Sequence, residues 1–283
     1  FFSTFKMAPA QKGSLVQGAV LQCAEAASLG MPFEVWKTRM GRYRTEGTME
    51  AFWNVHKTGG VLAFWNGTSA KMVESASKGA ILLFAKETLL HSLETAGVNP
   101  TVAGVAAGAG GGICQVSVMG PCTFLVTAVV TQKNRTVQQT ALQTWQEKGI
   151  GGFYPGGSAI AMRQATNWAS RQGFTEWVRT RMRNTFHNGD KKAKLTLPQE
   201  ISSGVIGGVM ACWNHPFEVA RIEMQAAAVA KEAKMSMTST LSKIYQVNGI
   251  HGLFQGVVPR IGLGIWQTLF MVVLPKLITR WVG

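Results

Sequence analysis

The hydropathy pattern of the chain alternates between apolar segments rich in glycine and alanine and stretches with spaced charges. Three segments of the first kind occupy roughly residues 13–31, 101–120 and 201–215, and each leads to a proline. Their glycines, such as Gly104, Gly108 and Gly112, permit close approach of neighbouring helices. No uninterrupted apolar run of about 18 residues occurs. The pattern predicts helices whose polar faces meet one another or a water-filled cavity.

Three prolines, Pro32, Pro121 and Pro216, mark an internal repeat with spacings of 89 and 95 residues. A Gly-x4-aromatic-x-Gly turn follows each proline, as GVLAFWNG at 60–67, GIGGFYPG at 149–156 and GIHGLFQG at 249–256. The first turn glycine lies 28 residues after the proline in two copies and 33 residues after it in the third. Two markers in register indicate a threefold repeat, with a five-residue loop insertion in the third copy.

Each copy repeats one order of predicted helices. A first helix carries the proline, a short helix such as TMEAFWNVHKT or TSTLSKIYQVN precedes the turn, and a long second helix follows it, at about 68–91, 157–181 and 257–280. The prediction is one all-α domain over residues 1–283. Repeat one covers about 10–97, repeat two about 98–190 and repeat three about 195–283. Six long and three short helices are expected.

Composition indicates a membrane protein. Charged residues make up 15% of the chain, hydrophobic residues 46%, and there are 32 glycines, although mean hydropathy is only +0.10. The net charge of +14 and pI of about 10.0 suit anionic lipid headgroups. Nucleic-acid binding is the alternative, but no zinc-finger spacing, aromatic RNA-binding motif or long basic run supports it.

Nothing in the sequence indicates an enzyme or a cofactor. The four cysteines form no CxxC pair and no metal-binding spacing with histidine. A phosphate-binding loop and a GxSxG nucleophile motif are both missing from the sequence. The sequence begins FFSTFKMAP, which fits either removal of a targeting peptide or a sequence that starts partway.

The repeats resemble those of the mitochondrial carrier family over nearly the whole chain. The family signature is P-x-[DE]-x-x-[KR]-x-[KR], followed by a glycine–aromatic–glycine segment. Residues 32–40, PFEVWKTRM, match it with Pro32, Glu34, Lys37 and Arg39. Residues 216–225, PFEVARIEMQ, match with Pro216, Glu218 and Arg221 but have Glu223 at the last basic position. Residues 120–132, GPCTFLVTAVVTQ, keep Pro121 and replace the acid by Thr123 and the base by Val126.

Within the family, four stretches resemble the citrate–oxoglutarate carriers of fungal type. They are MGPCTFLVT, MRQATNWASRQGF, NHPFEVARIEMQ and PRIGLGIWQTLFMV. The resemblance implies six tilted transmembrane helices and three short matrix-side helices around a central cavity. It also implies multi-pass insertion in the mitochondrial inner membrane, no cofactor, and cardiolipin as a lipid partner at the Gly-x4-aromatic-x-Gly turns.

The resemblance implies a matrix gate at the kinked prolines, where the acid of one copy pairs with the base of the next. Glu218 is expected to pair with Lys37. Glu34 faces Val126 and Thr123 faces Arg221, so two of the three pairs are missing. Glu34 and Arg221 are then either solvated or in contact with each other or with water. Each lost pair would ease opening by about 1–3 kcal/mol, and Thr123→Asp with Val126→Lys is expected to slow exchange.

A cytosolic gate is expected on the second helix of each copy. Counting 20 residues past Gly67, Gly156 and Gly256 reaches Glu87, Glu176 and Lys276. Arg179 follows Glu176 by one helical turn, so Glu87 and Arg179 form the cross-copy pair that the sequence supports. Ordinary interfacial charges at helix ends are the alternative.

The same counting places a substrate site in the middle of these helices. Seven residues past the turn glycines lie Glu74, Arg163 and Leu263, and one helical turn further lie Lys78, Asn167 and Gln267. The family resemblance assigns a carboxylate to Arg163, which can bind it through two parallel hydrogen bonds. Gln164 and Asn167 suit a keto or hydroxyl oxygen, Lys78 and Arg260 add cations, and Gln267 is a neutral partner. Structural ion pairing remains the alternative for the three cations.

Glu74 is expected either to hold Lys78, four residues later, or to take up a proton with the anion. The function expected from the resemblance is exchange of di- and tricarboxylates, such as citrate and 2-oxoglutarate, by alternating access. Two alternatives stay open. One is a carrier-fold structural subunit of a larger inner-membrane complex, and the other is a carrier associated with mitochondrial DNA.

Overall fold

The structure is a computed structural model that describes residues 18–132, 136–186 and 195–282, with the side chains of 100, 101, 105, 172 and 271–282 left aside. All regular elements in these ranges are helical. The helices that carry the signature prolines are each in two parts: α1 (18–25) and α2 (Met31–Arg42), α5 (Pro100–Cys114) and α6 (Val116–Thr131), and α9 (Leu197–Met210) and α10 (His215–Val229).

Each repeat continues with a short helix and a long one. The short helices are α3 (Thr48–Gly59), α7 (Val137–Lys148) and α11 (Met237–Leu253), and the long helices are α4 (Thr68–Thr95), α8 (Gly157–Phe186) and α12 (Val257–Val282). The predicted starts of the long helices are therefore confirmed. The third-copy insertion was predicted as loop, which is partly wrong, because α10 runs three residues further past its proline than α2 or α6 does.

The proline-containing helices and the long helices together close into a ring. Helix α4 packs on α5, α5 on α8, α8 on α9, α9 on α12, and α12 returns to α2 of the first repeat. This confirms the predicted all-α architecture of three repeats around a central cavity. By length and hydropathy, no individual described helix qualifies as a membrane span, while the pair Val102–Cys114 and Val116–Thr131, bent by 44°, qualifies when taken together.

The kinks lie just upstream of the prolines. A proline ring clashes with the carbonyl four residues earlier. For Pro32 that residue is Ser28, whose ψ of −120° interrupts the helix within a π turn at Ala26–Gly30. The residue four before Pro216 lies in a 3₁₀ turn at Ala211–Asn214, and the break upstream of Pro121 falls between α5 and α6. The prediction that each proline kinks its helix is thus confirmed.

The turn glycines hold neighbouring repeats together. Gly67, Gly156 and Gly256 have φ of +92°, +72° and +86°, a conformation that side chains disfavour. A carbon atom added at Gly256 would lie 3.1 Å from the carbonyl oxygen of Lys37, and one at Gly156 would lie 3.3 Å from that of Arg221. At Gly67 the corresponding neighbour is Val126, 3.3 Å away. Val126 therefore occupies the structural position of the two signature bases, although it carries no charge.

Candidate functional site: a cationic cavity above a closed charge cluster

A cavity of about 720 Å³ lies inside the ring. All seven residues predicted for the substrate site line it: Glu74, Lys78, Arg163, Gln164, Asn167, Arg260 and Gln267. They come from one face of each long helix, because positions three, four and seven residues apart share a helix face. The sequence therefore identified one shared wall of this cavity from three separate helices.

Basic side chains outnumber acidic ones around this cavity. Among the described residues the lining has seven basic groups and four acidic ones, a formal charge of +3. The basic groups are Lys37, Lys71, Lys78, Arg163, Arg171, Arg221 and Arg260, and the acidic groups are Glu25, Glu34, Glu74 and Glu218. Such a cavity attracts anions and repels cations, most strongly where water is scarce.

Glu218 is the centre of an ion cluster at the floor of the cavity. Lys37 Nζ lies 2.7 Å from Glu218 Oε1, so the expected contact between the third and first repeats is present. Arg221 donates from Nε and Nη2 to the two carboxylate oxygens of Glu218, at 3.1 and 3.0 Å. Arg163 Nε lies 3.0 Å from Oε2 but is not aligned for a hydrogen bond. The cluster joins all three repeats, since Arg163 belongs to the second.

Glu34 and Arg221 both have ion-pair partners, although the middle copy carries no charge at its signature positions. Lys37 Nζ lies 2.8 Å from Glu34 Oε1 in the next helical turn, and Lys71 Nζ lies 3.7 Å from Oε2. Arg221 Nη2 comes within 3.9 Å of Glu34 Oε1. Of the alternatives considered, mutual contact fits and free solvation does not, because both side chains are almost fully buried. Lys71 supplies the cation that position 126 lacks.

The middle copy joins the cluster through neutral hydrogen bonds. Gln225 Nε2 donates to Thr123 Oγ1 at 2.9 Å, and Gln225 Oε1 accepts from Thr127 Oγ1 at 3.0 Å. Arg221 Nη1 donates to the same Gln225 oxygen at 2.7 Å. Val126 instead belongs to an apolar cluster with Met31 and Ala70. The two signature ion pairs of the middle copy are thus not formed, as expected, and polar and apolar contacts occupy both positions.

A second charge layer lies beyond this cluster, at the C-terminal ends of the kinked helices. Glu223, which replaces a signature base, accepts from Arg42 Nη1 at 3.0 Å and from Arg44 Nη2 at 2.6 Å. Arg42 also binds Glu232 at 2.6 Å. The substitution at position 223 thus creates a contact between the third and first repeats, rather than removing one.

On α4 the prediction that Glu74 holds Lys78 is wrong. Lys71 Nζ lies 3.1 Å from both oxygens of Glu74, so the carboxylate pairs one turn back toward the floor and not with Lys78. No carboxylate in the described part of the chain forms an ion pair with Lys78, which lines the cavity. Lys78 is therefore a cation that is available to a ligand.

On α8 the polar residues form a stripe along the cavity. Arg163, Asn167 and Arg171 follow one another at four-residue spacing, and all three line the cavity. Gln164 is more constrained than expected, because its Nε2 donates to Gln115 Oε1 at 2.7 Å. Gln115 in turn donates to the backbone oxygen of Lys78 at 2.8 Å. The amide of Gln164 thus helps to fix α8 against α4 and α5.

Arg260 is held by neutral groups at the start of α10. Its Nη2 donates to Asn214 Oδ1, and its Nη1 lies 3.3 Å from His215 Nδ1. Asn214 Nδ2 also donates to the backbone oxygen of Arg163, at 3.3 Å. None of these partners carries a negative charge, so the guanidinium is oriented but its charge is not neutralised by a direct contact.

At the far end of the cavity, two of the predicted gate residues contact each other within one helix. Arg179 Nη1 contacts Glu176 Oε1 at 2.6 Å within α8, and both side chains are substantially exposed. The expected pairing of Arg179 with Glu87 is thus not formed in this conformation. The side chain of Lys276 lies outside the described residues. Among the described residues, the closed charge cluster therefore lies at the end of the cavity that carries the signature prolines.

Sequence reasoning missed several residues of the site. Lys71 lies seven residues before Lys78 and Arg171 eight after Arg163, so helical periodicity could have found both. Gln115 and Gln225 carry no charge or motif and are identified only by their contacts. Glu25 lies before the first proline, outside the counted positions, and lines the cavity.

A ring of three helix pairs around a polar cavity, closed at one end by charges, defines a solute carrier. A sequence model described as "Mitochondrial carrier protein" matches residues 13–96, 97–186 and 193–282. The chain belongs to the mitochondrial carrier family. It is 35% identical over 276 residues to the citrate/oxoglutarate carrier protein of Saccharomyces cerevisiae, covering 93% of this chain and 88% of the relative.

Two further relatives have related names. The tricarboxylate transport protein of S. cerevisiae is 25% identical, with 88% of both chains covered. Mitochondrial citrate transporter B of Aspergillus niger is 26% identical, with 88% of this chain and 86% of the relative covered. The family model and the 35% identity to the first relative establish the family of this chain.

Proposed function

We propose that this protein exchanges di- and tricarboxylates, with citrate and 2-oxoglutarate as the pair, across the mitochondrial inner membrane as a multi-pass carrier. The observation that carries the proposal is the excess of positive charge in the cavity, in particular Lys78, Arg171 and Arg260, which have no carboxylate partner among the described residues. The names of the relatives support the same class of substrate. Members of the family are transporters, so no bond-breaking chemistry is required.

The ligand would bind between the three long helices. Lys78 supplies a point charge from α4, and Arg163 and Arg260 supply guanidinium groups that match the plane of a carboxylate. Asn167 and Gln267 line the same cavity and can hydrogen-bond a keto or hydroxyl oxygen. Gln164 has a mainly structural contribution, because its amide nitrogen is already bonded to Gln115.

Arg163 connects the ligand to the closed end. Its Nε lies 3.0 Å from Glu218 Oε2, and Glu218 also holds Lys37 and Arg221. A substrate carboxylate that draws Arg163 away removes one of three cations from Glu218 and so weakens the matrix gate. The ligand can drive this change only by binding the occluded state better than the open state. In this proposal the ion cluster around Glu218 is the matrix gate, and Glu87, Glu176 and Arg179 close the cytosolic end in the next step.

A lipid partner is a separate part of the proposal. A second cavity of about 350 Å³ adjoins the turn of the second repeat and includes Tyr154, Gly156, Lys234 and Lys243. These two lysines suit a lipid phosphate, because the two glutamates of the same cavity, Glu223 and Glu232, are already bound by arginines of the first repeat. Cardiolipin at these turns accordingly remains our expectation, as does the description of the chain as one carrier domain.

Exchange in liposomes tests the proposal. Purified protein is reconstituted into liposomes loaded with citrate, and uptake of labelled 2-oxoglutarate is measured. Wild-type uptake should depend on internal citrate, and Arg163→Ala should abolish it, whereas Arg181→Ala, at an exposed position of α8, should not. Absence of citrate-dependent uptake by folded protein would refute the proposal. Co-purification with a multisubunit membrane complex, or salt-sensitive DNA binding, would then favour the corresponding alternative.

A further inference from the structure

Glu25 is the one described acidic group of the cavity with no ion pair. The other three, Glu34, Glu74 and Glu218, each have a cation within 3.1 Å. Glu25 is 3% exposed, lines the cavity, and its Oε1 is buried without a hydrogen-bond partner. A buried carboxylate without a partner is costly when ionised, and protonation removes that cost. This geometry sets Glu25 apart from every other carboxylate of the site.

The backbone around Glu25 holds it in this position. Glu25 precedes the π turn at Ala26–Gly30, and single π turns inside helices are frequent at functional sites. Ser28 Oγ donates to the Glu25 backbone oxygen at 2.7 Å and accepts from Trp266 Nε1 at 3.2 Å. A side-chain carbon at Gly30 would lie 2.5 Å from Glu25 Oε1. The Oε1 atom therefore packs against a bare glycine backbone, while Gln267 is the polar side chain that interacts with the carboxylate.

The groups that act on Glu25 come from all sides of the cavity. Lys71 and Lys78 face it from α4, Gln267 interacts with it from α12, and Glu34 acts on it from α2. Lys71 is engaged by Glu74 at 3.1 Å and has Glu34 at 3.7 Å. Lys78 is accordingly the cation that can compensate Glu25 in the empty cavity. The proposed ligand needs the same cation, so ligand and Glu25 compete for it.

We propose that Glu25 takes up one proton when a tricarboxylate binds and releases it when the anion leaves, so that exchange is coupled to a proton. The proton passes from water to a carboxylate oxygen of Glu25, while Lys78 stays protonated and turns to the substrate. A trianion with one proton carries the same charge as a dianion, so exchange of citrate for 2-oxoglutarate becomes electroneutral. Anion and proton favour each other's binding by the same factor. This inference rests on the proposed exchange function.

Proton uptake on binding tests the inference without requiring transport. Citrate is titrated into purified protein by calorimetry in two buffers of different ionisation enthalpy, at a pH well above the last pKa of citrate. We expect about one proton per citrate for the wild type, in accordance with a single titrating group. Glu25→Gln should take up none, and Glu25→Asp should retain uptake. Glu94→Gln, at an exposed position of α4, is the matched control and should behave as the wild type.

Citrate binding by the wild type without proton uptake would overturn the inference and leave the exchange function intact. Equal uptake by Glu25→Gln and the wild type would overturn it as well. If Glu25→Gln does not fold, the wild-type value and Glu25→Asp decide the question, and absence of uptake in either one contradicts it. Failure of the wild type both to bind and to exchange citrate would refute the proposed function itself.

In liposomes that contain both substrates, a pH gradient of one unit should shift the citrate gradient, relative to the 2-oxoglutarate gradient, by about tenfold for the wild type, which corresponds to about 1.4 kcal/mol. The Glu25→Gln variant should show no such shift. A full shift in this variant would mean that protonated citrate itself is carried, which overturns the role of Glu25.

Discussion

Glu218 is the single residue on which the closed end of the carrier depends most. It is 1% exposed, and Lys37, Arg163 and Arg221 contact its carboxylate at 2.7, 3.0 and 3.0 Å. Glu218→Gln keeps the shape of the side chain and removes the negative charge. Three cations would then face one another with Glu34 as the nearest remaining carboxylate, and Glu34 already binds Lys37.

The magnitude follows from the burial of these groups. Removing one partner of a buried ion pair costs about 3–5 kcal/mol, because the other partner is left uncompensated. The cluster borders a cavity that water can enter, so the lower end, about 3 kcal/mol, is expected. With a change in melting temperature of about 2–4 °C per kcal/mol for domains of about 150–250 residues, Glu218→Gln should lower Tm by about 6–12 °C.

Thermal unfolding of the purified protein in detergent, followed by tryptophan fluorescence, measures this change. The matched control is Glu147→Gln, whose carboxylate lies 3.3 Å from Lys231 with both side chains exposed, and its Tm should equal that of the wild type. A Tm of Glu218→Gln within about 2 °C of the wild type would show that the cluster does not hold the matrix end closed.

Four further substitutions test other contacts. Lys78→Gln breaks no ion pair among the described residues, so Tm should be unchanged while citrate affinity, measured by calorimetry, falls at least about tenfold; unchanged affinity would contradict the assigned role. Glu223→Gln should lower Tm less than Glu218→Gln does. The changes in Tm of Glu223→Gln and Arg44→Gln should not add in the double variant, because the two side chains share one contact at 2.6 Å. Additive changes in Tm would contradict the second charge layer. Val126→Lys alone should lower Tm, because Val126 is 2% exposed in an apolar cluster; a raised Tm would contradict this placement of Val126.

The fold was predictable because it is repeated three times. Proline and turn glycine recur in register, so a marker that is weak in one copy is supported by the other two. The same counting found the cavity wall, since residues at a fixed distance from Gly67, Gly156 and Gly256 lie at equal depth on three helices related by the repeat.

The ion-pair partners within the site were less predictable, because a charged side chain at a known depth can reach a partner either one helical turn before it or one turn after it. Glu74 was expected to bind Lys78 and instead binds Lys71, since the charge cluster with Glu34 lies on that side. For the uncharged middle copy, contact between Glu34 and Arg221 was one of the expected alternatives, but the further partners were not expected. Gln225 and Lys71 replace its ion pairs from other helices, and no signature position indicates them.

A net positive cavity should select carboxylate anions, and uptake of labelled citrate and of labelled arginine into the same preparation of citrate-loaded liposomes measures this selectivity. We expect saturable uptake of citrate and none of arginine above protein-free liposomes, because seven basic groups face only four acidic ones among the described lining residues. Saturable uptake of arginine, or equal uptake of both solutes, would contradict it.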